Sequence, residues 1–156
     1  MLLNRPTLSL PQSPNVLLTD GLRAKVADFG LARVLHASFV TASAHSSTHA
    51  PTGTYHWMAP ELIRGDAHSR RPPADVYSYG VVLFELLSGQ RPWANARSTA
   101  EVIAAVGWGG RRVELPAGLA SACPLLSALM ERCLARVPAD RPTFVEIVGV
   151  LTSFTA

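Results

Sequence analysis

The spacing of apolar side chains changes character along this chain. Val16-Leu17-Leu18 and Ala24-Lys25-Val26-Ala27 are short β-prone runs separated by Thr19-Asp20-Gly21. A turn signal between two such runs predicts a β-hairpin. A turn centred near Gly21-Leu22 would set Asn15 opposite Asp28 at the open end of that hairpin. From Ala37 to Thr52 the residues are Ser, Thr, Ala and His with almost no large apolar side chain. Such a stretch cannot bury itself and predicts a mobile surface loop.

Beyond Pro60 the pattern becomes helical. Glu61–Arg64 reads as a short helix, and Asp75–Ser88 is apolar on nearly every face, which predicts a central helix buried all round. Ser98-Thr99-Ala100-Glu101 is a capping box opening a helix through about Val106. Residues 124–135 and 143–154 are amphipathic. The last segment has Phe144, Ile147, Val148 and Leu151 at i, i+3, i+4 and i+7, with Asp140 and Pro142 as start signals. Residues 107–121 form a Gly/Pro-punctuated connection, and residues 1–12, with Pro6 and Pro11, an irregular leader. The expected fold is mainly α, a short hairpin followed by a helical bundle around one buried helix.

Composition narrows the picture. With 156 residues, 48% hydrophobic and 16% charged, the chain can bury a real core. Net charge is +3, but the only basic doublets are Arg70-Arg71 and Arg111-Arg112, and neither is interleaved with aromatics. A solvated surface is expected rather than a nucleic-acid interface. Cys123 and Cys133 lack metal spacing, and Cys133 lies in an apolar stripe, so a buried reduced thiol is expected. The histidines are scattered without ligand spacing. No signal-peptide run opens the sequence, which points to a cytosolic or nuclear location. The apolar stretch Val76 to Leu87 is too short to span a bilayer.

Side by side at a hairpin mouth, Asn15 and Asp28 would offer one amide oxygen and one carboxylate to a small cation. Hard oxygen ligands of this kind suit Mg²⁺ held jointly with phosphate oxygens. Asx residues are also common at hairpin ends, where Asn15 would cap a turn and Asp28 accept from a backbone amide. Taken alone, the pair leaves both readings open.

Longer motifs bear on that choice. Ser13-Pro14-Asn15-Val16-Leu17-Leu18, Ala27-Asp28-Phe29-Gly30-Leu31-Ala32-Arg33, Gly53-Thr54-Tyr55-His56-Trp57-Met58-Ala59-Pro60-Glu61, Asp75-Val76-Tyr77-Ser78-Tyr79-Gly80 and Asp140-Arg141-Pro142-Thr143-Phe144 occur in this order. From Ser13 onward the chain resembles the C-terminal lobe of a protein kinase. The wording Trp-Met-Ala-Pro-Glu is most similar to the tyrosine-kinase-like group of Ser/Thr kinases, of the mixed-lineage and Raf type. Gly53-Thr54 favours Ser/Thr acceptors. The resemblance implies ATP-dependent phosphoryl transfer to protein Ser/Thr, with ATP and Mg²⁺ as cofactors and a protein substrate or partner. It implies that Asp28 and Asn15 each hold a Mg²⁺, that Leu17 forms the floor under adenine, and that Thr54 lines the acceptor site. Phe29 and Gly30 complete the turn that carries Asp28. Glu61 and Arg141 would form a buried ion pair, and Asp75 would accept backbone hydrogen bonds from the catalytic loop.

One stretch departs from that pattern. The family reads His-Arg-Asp-Leu-Lys-x-x-Asn, whereas this chain has Leu8-Ser9-Leu10-Pro11-Gln12-Ser13-Pro14-Asn15. Leu10 stands in place of the acceptor-orienting Asp, Ser9 of the Arg and Gln12 of the Lys. Loss of a positioned base costs about 10²–10⁴ in rate. The only lysine, Lys25, lies in the hairpin, and no Gly-rich loop or Val-Ala-Ile-Lys strand precedes Ser13. The expectation is a non-family leader over 1–12 and a partial kinase domain over 13–156, inactive by itself and binding ATP weakly or not at all. The alternative is a non-catalytic, pseudokinase-like module that binds partners through exposed Leu17, Phe29 and Leu31. Ser38, Thr41, Ser43, Ser46, Ser47, Thr48 and Thr52 are candidate phosphorylation positions, with Arg33 as a pairing partner and Ser9 in place of the usual second one; a disordered loop without regulatory phosphates is the other reading.

Overall fold

The computed structural model describes residues 13–27, 54–66 and 72–155. The leader with Leu10, the Asp28-Phe29-Gly30 turn and the Ser/Thr-rich loop lie outside the described residues. β1 (Val16–Leu18) and β2 (Ala24–Val26) form an antiparallel hairpin with Val16 opposite Val26, Leu17 opposite Lys25 and Leu18 opposite Ala24. This register is one residue away from the one expected. The Thr19 amide donates to the Arg23 carbonyl at 3.1 Å, so the connecting loop is Asp20-Gly21-Leu22 and its centre is Gly21 alone. Leu22 takes φ 56°, the left-handed position that closes a three-residue hairpin loop. Glycine usually fills that position, and here a leucine does, which is why the turn was misread. Asn15 therefore faces Ala27, whose amide donates to the Asn15 carbonyl at 2.7 Å.

Six α-helices follow among the described residues: α1 (Pro60–Arg64), α2 (Pro72–Ser88), α3 (Thr99–Ile103), α4 (Ala117–Ala122), α5 (Pro124–Cys133) and α6 (Phe144–Thr155). Proline pre-sets the first turn of α1, and Gly65 ends it at φ 72° with its N–H bonded to the Glu61 and Leu62 carbonyls. Ser98 caps α3 by accepting from the Glu101 amide at 3.3 Å, and the Glu101 carboxylate accepts from the Arg97 amide at 2.8 Å. A π turn, Ala104–Trp108, prolongs α3. Its Gly107 abuts α1, where an added Cβ would meet Ile63 Cγ2 at 2.7 Å. The connection read over 107–121 contains α4, a one-and-a-half-turn helix that no strong periodicity announces.

The core is built around α2. Ala74, Val76, Tyr77, Val81, Val82, Leu83 and Phe84 are buried together with Trp57, Val102, Leu129, Met130 and Ile147. Gly80 brings α2 close to α5, since a Cβ there would lie 2.8 Å from Cys133 Cβ and 3.0 Å from Leu134 Cδ2. Burial all round holds from Ala74 to Phe84 and ends in the last turn, where Leu86 is 74% exposed. α6 inserts Ile147 and leaves Val145 and Val148 largely in solvent, so its apolar stripe is wider than the face it buries. Cys133 is fully buried, and burial pushes its thiol up to about 11, so it stays protonated and inert. No helix of the described residues is long and apolar enough to cross a membrane.

Candidate functional site

Asn15 ends a 3-10 turn, Ser13–Asn15, that feeds directly into β1. Its carbonyl is taken by Ala27, while its side-chain amide nitrogen is buried without a hydrogen-bond partner, alone in this among the described side chains. The amide fits a cation through its oxygen, the hard ligand type that Mg²⁺ accepts. A single oxygen does not make a Mg²⁺ site, and Asp28 lies outside the described residues, one position beyond the residue facing Asn15. Leu17, on β1, is 56% exposed.

Thr54 opens a second 3-10 turn, Thr54–Trp57, and is 7% exposed. Two contacts fasten this turn to α2. The Ser78 hydroxyl donates to the Trp57 carbonyl at 2.8 Å, and the Trp57 indole N–H donates to Glu85 Oε2 at 2.7 Å. Glu85 Oε1 also accepts from the Ser13 hydroxyl at 2.9 Å. One carboxylate on the central helix thus ties the turn carrying Thr54 to the turn carrying Asn15. Sequence reasoning gave Glu85 no role. The usable signal was that a carboxylate within an apolar helix requires donors.

Glu61 and Arg141, predicted to pair, are brought together. Arg141 Nη1 lies 2.6 Å from Glu61 Oε1 and Nη2 lies 2.9 Å from Oε2, with both side chains almost fully removed from solvent. The remaining guanidinium hydrogens go to the Ala135 and Pro73 carbonyls, each at 2.8 Å, and to the Arg136 carbonyl at 3.5 Å, and the guanidinium stacks over the Tyr77 ring at 5.0 Å. The carboxylate is therefore held bidentate by a fully used fork. Burial pushes the Tyr77 hydroxyl up to about 12, with Arg141 acting the other way. Asp75, in the first turn of α2, is 8% exposed, and desolvation pushes its carboxyl up to about 7. The catalytic-loop amides expected to bond it lie outside the described residues, and among the described ones no hydrogen bond to it is made. Together these contacts make α2 a platform that holds Asn15, Thr54 and Glu61 in fixed relation. The platform supplies positioning. Within the described residues it presents no nucleophile–base pair.

Comparison with known proteins gives the arrangement a context. The family model described as protein tyrosine and serine/threonine kinase matches residues 12–151. Serine/threonine-protein kinase CTR1 of Arabidopsis thaliana is 39% identical over 140 residues, covering 90% of this chain and 16% of its own length. Serine/threonine-protein kinase STY17 of the same plant is also 39% identical over 140 residues, which are 22% of its length. Serine/threonine/tyrosine-protein kinase HT1, again from Arabidopsis thaliana, is 38% identical over 143 residues, or 33% of its length. The chain spans a third or less of each of these relatives.

Proposed function

This chain belongs to the protein tyrosine and serine/threonine kinase family, and we propose that it forms the mostly helical part of a Ser/Thr kinase domain acting on protein substrates in the cytosol or nucleus. The observation that carries this reading is the pair of ties from α2, Glu85 to Ser13 and Trp57, and Ser78 to Trp57, which lock the turns of Asn15 and Thr54 together. Phosphoryl transfer depends mainly on positioning and charge stabilisation, so a rigid relation between metal-binding and acceptor-lining residues is what such a domain needs. Asn15 and Asp28 would hold Mg²⁺, which when bound neutralises charge on the ATP phosphates. Leu17 would support the adenine, and Thr54 would line the acceptor hydroxyl. The Glu61–Arg141 pair keeps the Thr54 segment seated on the helical body.

Under this reading the chain alone transfers phosphate poorly and binds nucleotide weakly. Leu10 offers no oxygen to orient an acceptor hydroxyl, and Gln12 no charge to meet the moving phosphoryl group. In the direct test, millimolar Mg·ATP leaves the melting temperature unchanged, and no phosphate reaches a generic Ser/Thr substrate. Transfer that disappears in Asp28→Ala would overturn the claim of inactivity. A second reading, a non-catalytic kinase-lobe module, is favoured by the open hairpin, where Leu17 is 56% and Leu18 67% exposed. It is distinguished by partner binding that survives Asn15→Ala and Asp28→Ala together.

A further inference from the structure

Between α2, α5 and the segment after the π turn lies a cavity of about 160 Å³ bordered by Tyr77, Gly110, Arg111, Arg112, Leu134 and Arg136. It shares no residue with the Asn15, Asp28 and Thr54 set. Three arginines with exposed side chains line its rim, and none forms an ion pair or side-chain hydrogen bond among the described residues. The nearest acids in the sequence do not neutralise them: Glu114, Glu131 and Asp140 are exposed and make no ion pair among the described residues. Like charges gathered without a counter-ion repel one another, and an anion placed among them relieves that repulsion.

One of these arginines lies close against the backbone. Gly110 has φ 66°, a left-handed position that favours glycine, and the exposed Arg136 side chain lies over it with Nη1 where a Cβ would stand. The Tyr77 hydroxyl remains a neutral donor across the biological pH range, because burial holds its proton. Donors on the rim, one neutral hydroxyl and no acceptor carboxylate make an inventory suited to an oxyanion. The volume is about five times the share of one water molecule in the liquid, which admits one tetrahedral anion with some hydration and excludes a nucleoside. Arginine forks match phosphate oxygens in pairs.

We infer that Arg111, Arg112 and Arg136, with the Tyr77 hydroxyl, form a binding site for a phosphate dianion, free or as a monoester. The group can arrive as free inorganic phosphate or as a phosphoserine on a protein, and the two sources share the same chemistry at the pocket. Isothermal titration of the full chain with inorganic phosphate and with a short phosphoserine peptide separates them, using the unphosphorylated peptide and chloride at equal ionic strength as controls. Saturable binding of either ligand, weakened about tenfold or more by Arg112→Gln with Arg136→Gln, is the expected result. Arg111→Gln, at an exposed side chain of the same rim, is a second variant and weakens binding in the same direction. Both variants are checked for an unchanged melting temperature without ligand. Peptide binding alone assigns the site to a protein ligand, and phosphate binding alone to the free ion. Heat no greater than that of chloride for both ligands, or affinity unchanged in folded variants, overturns the inference.

Discussion

Replacing Arg141 by Met removes the guanidinium from a site that solvent does not reach. The substitution deletes the bonds of 2.6 and 2.9 Å to Glu61 and those of 2.8 Å to the Pro73 and Ala135 carbonyls. What remains is a carboxylate on a residue 4% exposed, with no partner in reach. Breaking a buried pair from one side costs about 3–5 kcal/mol, most of it from the stranded charge. That is a large share of the roughly 5–15 kcal/mol that holds a domain together, and it corresponds to a melting point lower by about 10 °C. Chemical denaturation of wild type, Arg141→Met, Glu61→Leu and the double variant closes a thermodynamic cycle. Because the cost is mainly an unpaired charge, the double variant should be more stable than Arg141→Met alone, with a coupling of about 2 kcal/mol or more. A loss below about 1 kcal/mol for Arg141→Met, or strict additivity, would refute the reasoning.

Other outcomes follow from the same structure. Gly80→Ala places a Cβ against Cys133 and Leu134 and should cost about 1–3 kcal/mol in denaturant melts; a neutral result would show that α2 and α5 are not closely packed. Leu22→Gly relieves the positive φ and should stabilise the chain by up to about 1 kcal/mol, so a destabilised variant would count against the loop geometry. Glu85→Ala removes the acceptor shared by Ser13 and Trp57; quenching and exposure of Trp57 fluorescence should rise, and unaltered emission would contradict the tie. Asp75 titrates near 7 in the folded chain and near 3.8 unfolded, so the folded state binds the extra proton between those values. Stability contributed by this group is present below about pH 4 and falls as pH rises towards 7. Asp75→Asn should therefore melt above wild type at pH 8 and converge with it near pH 4, and the opposite trend would refute the assigned cause.

Much of the helical body was legible because its signals are local. The Ser98 cap, the proline start of α1 and the apolar run of α2 are each decided within a few residues. The Glu61–Arg141 pair was reached through motif resemblance rather than through any local rule, since the partners lie far apart in the chain. The hairpin register escaped because a leucine occupies a left-handed position that pattern reasoning gives to glycine, and one residue is enough to change what Asn15 faces. α4 escaped because six residues carry too little periodicity to rise above a loop. Glu85 escaped because its role depends on Trp57 and Ser13 arriving from elsewhere. The apolar stripe of α6 was read correctly as a pattern, yet only Ile147 finds a deep contact, since pattern states what could be buried and packing decides what is.

Mn²⁺ in place of Mg²⁺ offers the most direct probe of the central claim, because its paramagnetism broadens amide resonances even when binding is weak. Titrated into the labelled chain with ATP, Mn²⁺ should broaden Asn15, Ala27 and Asp28 first, and Asn15→Ala should abolish the effect. Broadening centred elsewhere, or untouched by that substitution, would contradict the assignment of these two oxygen donors to metal binding.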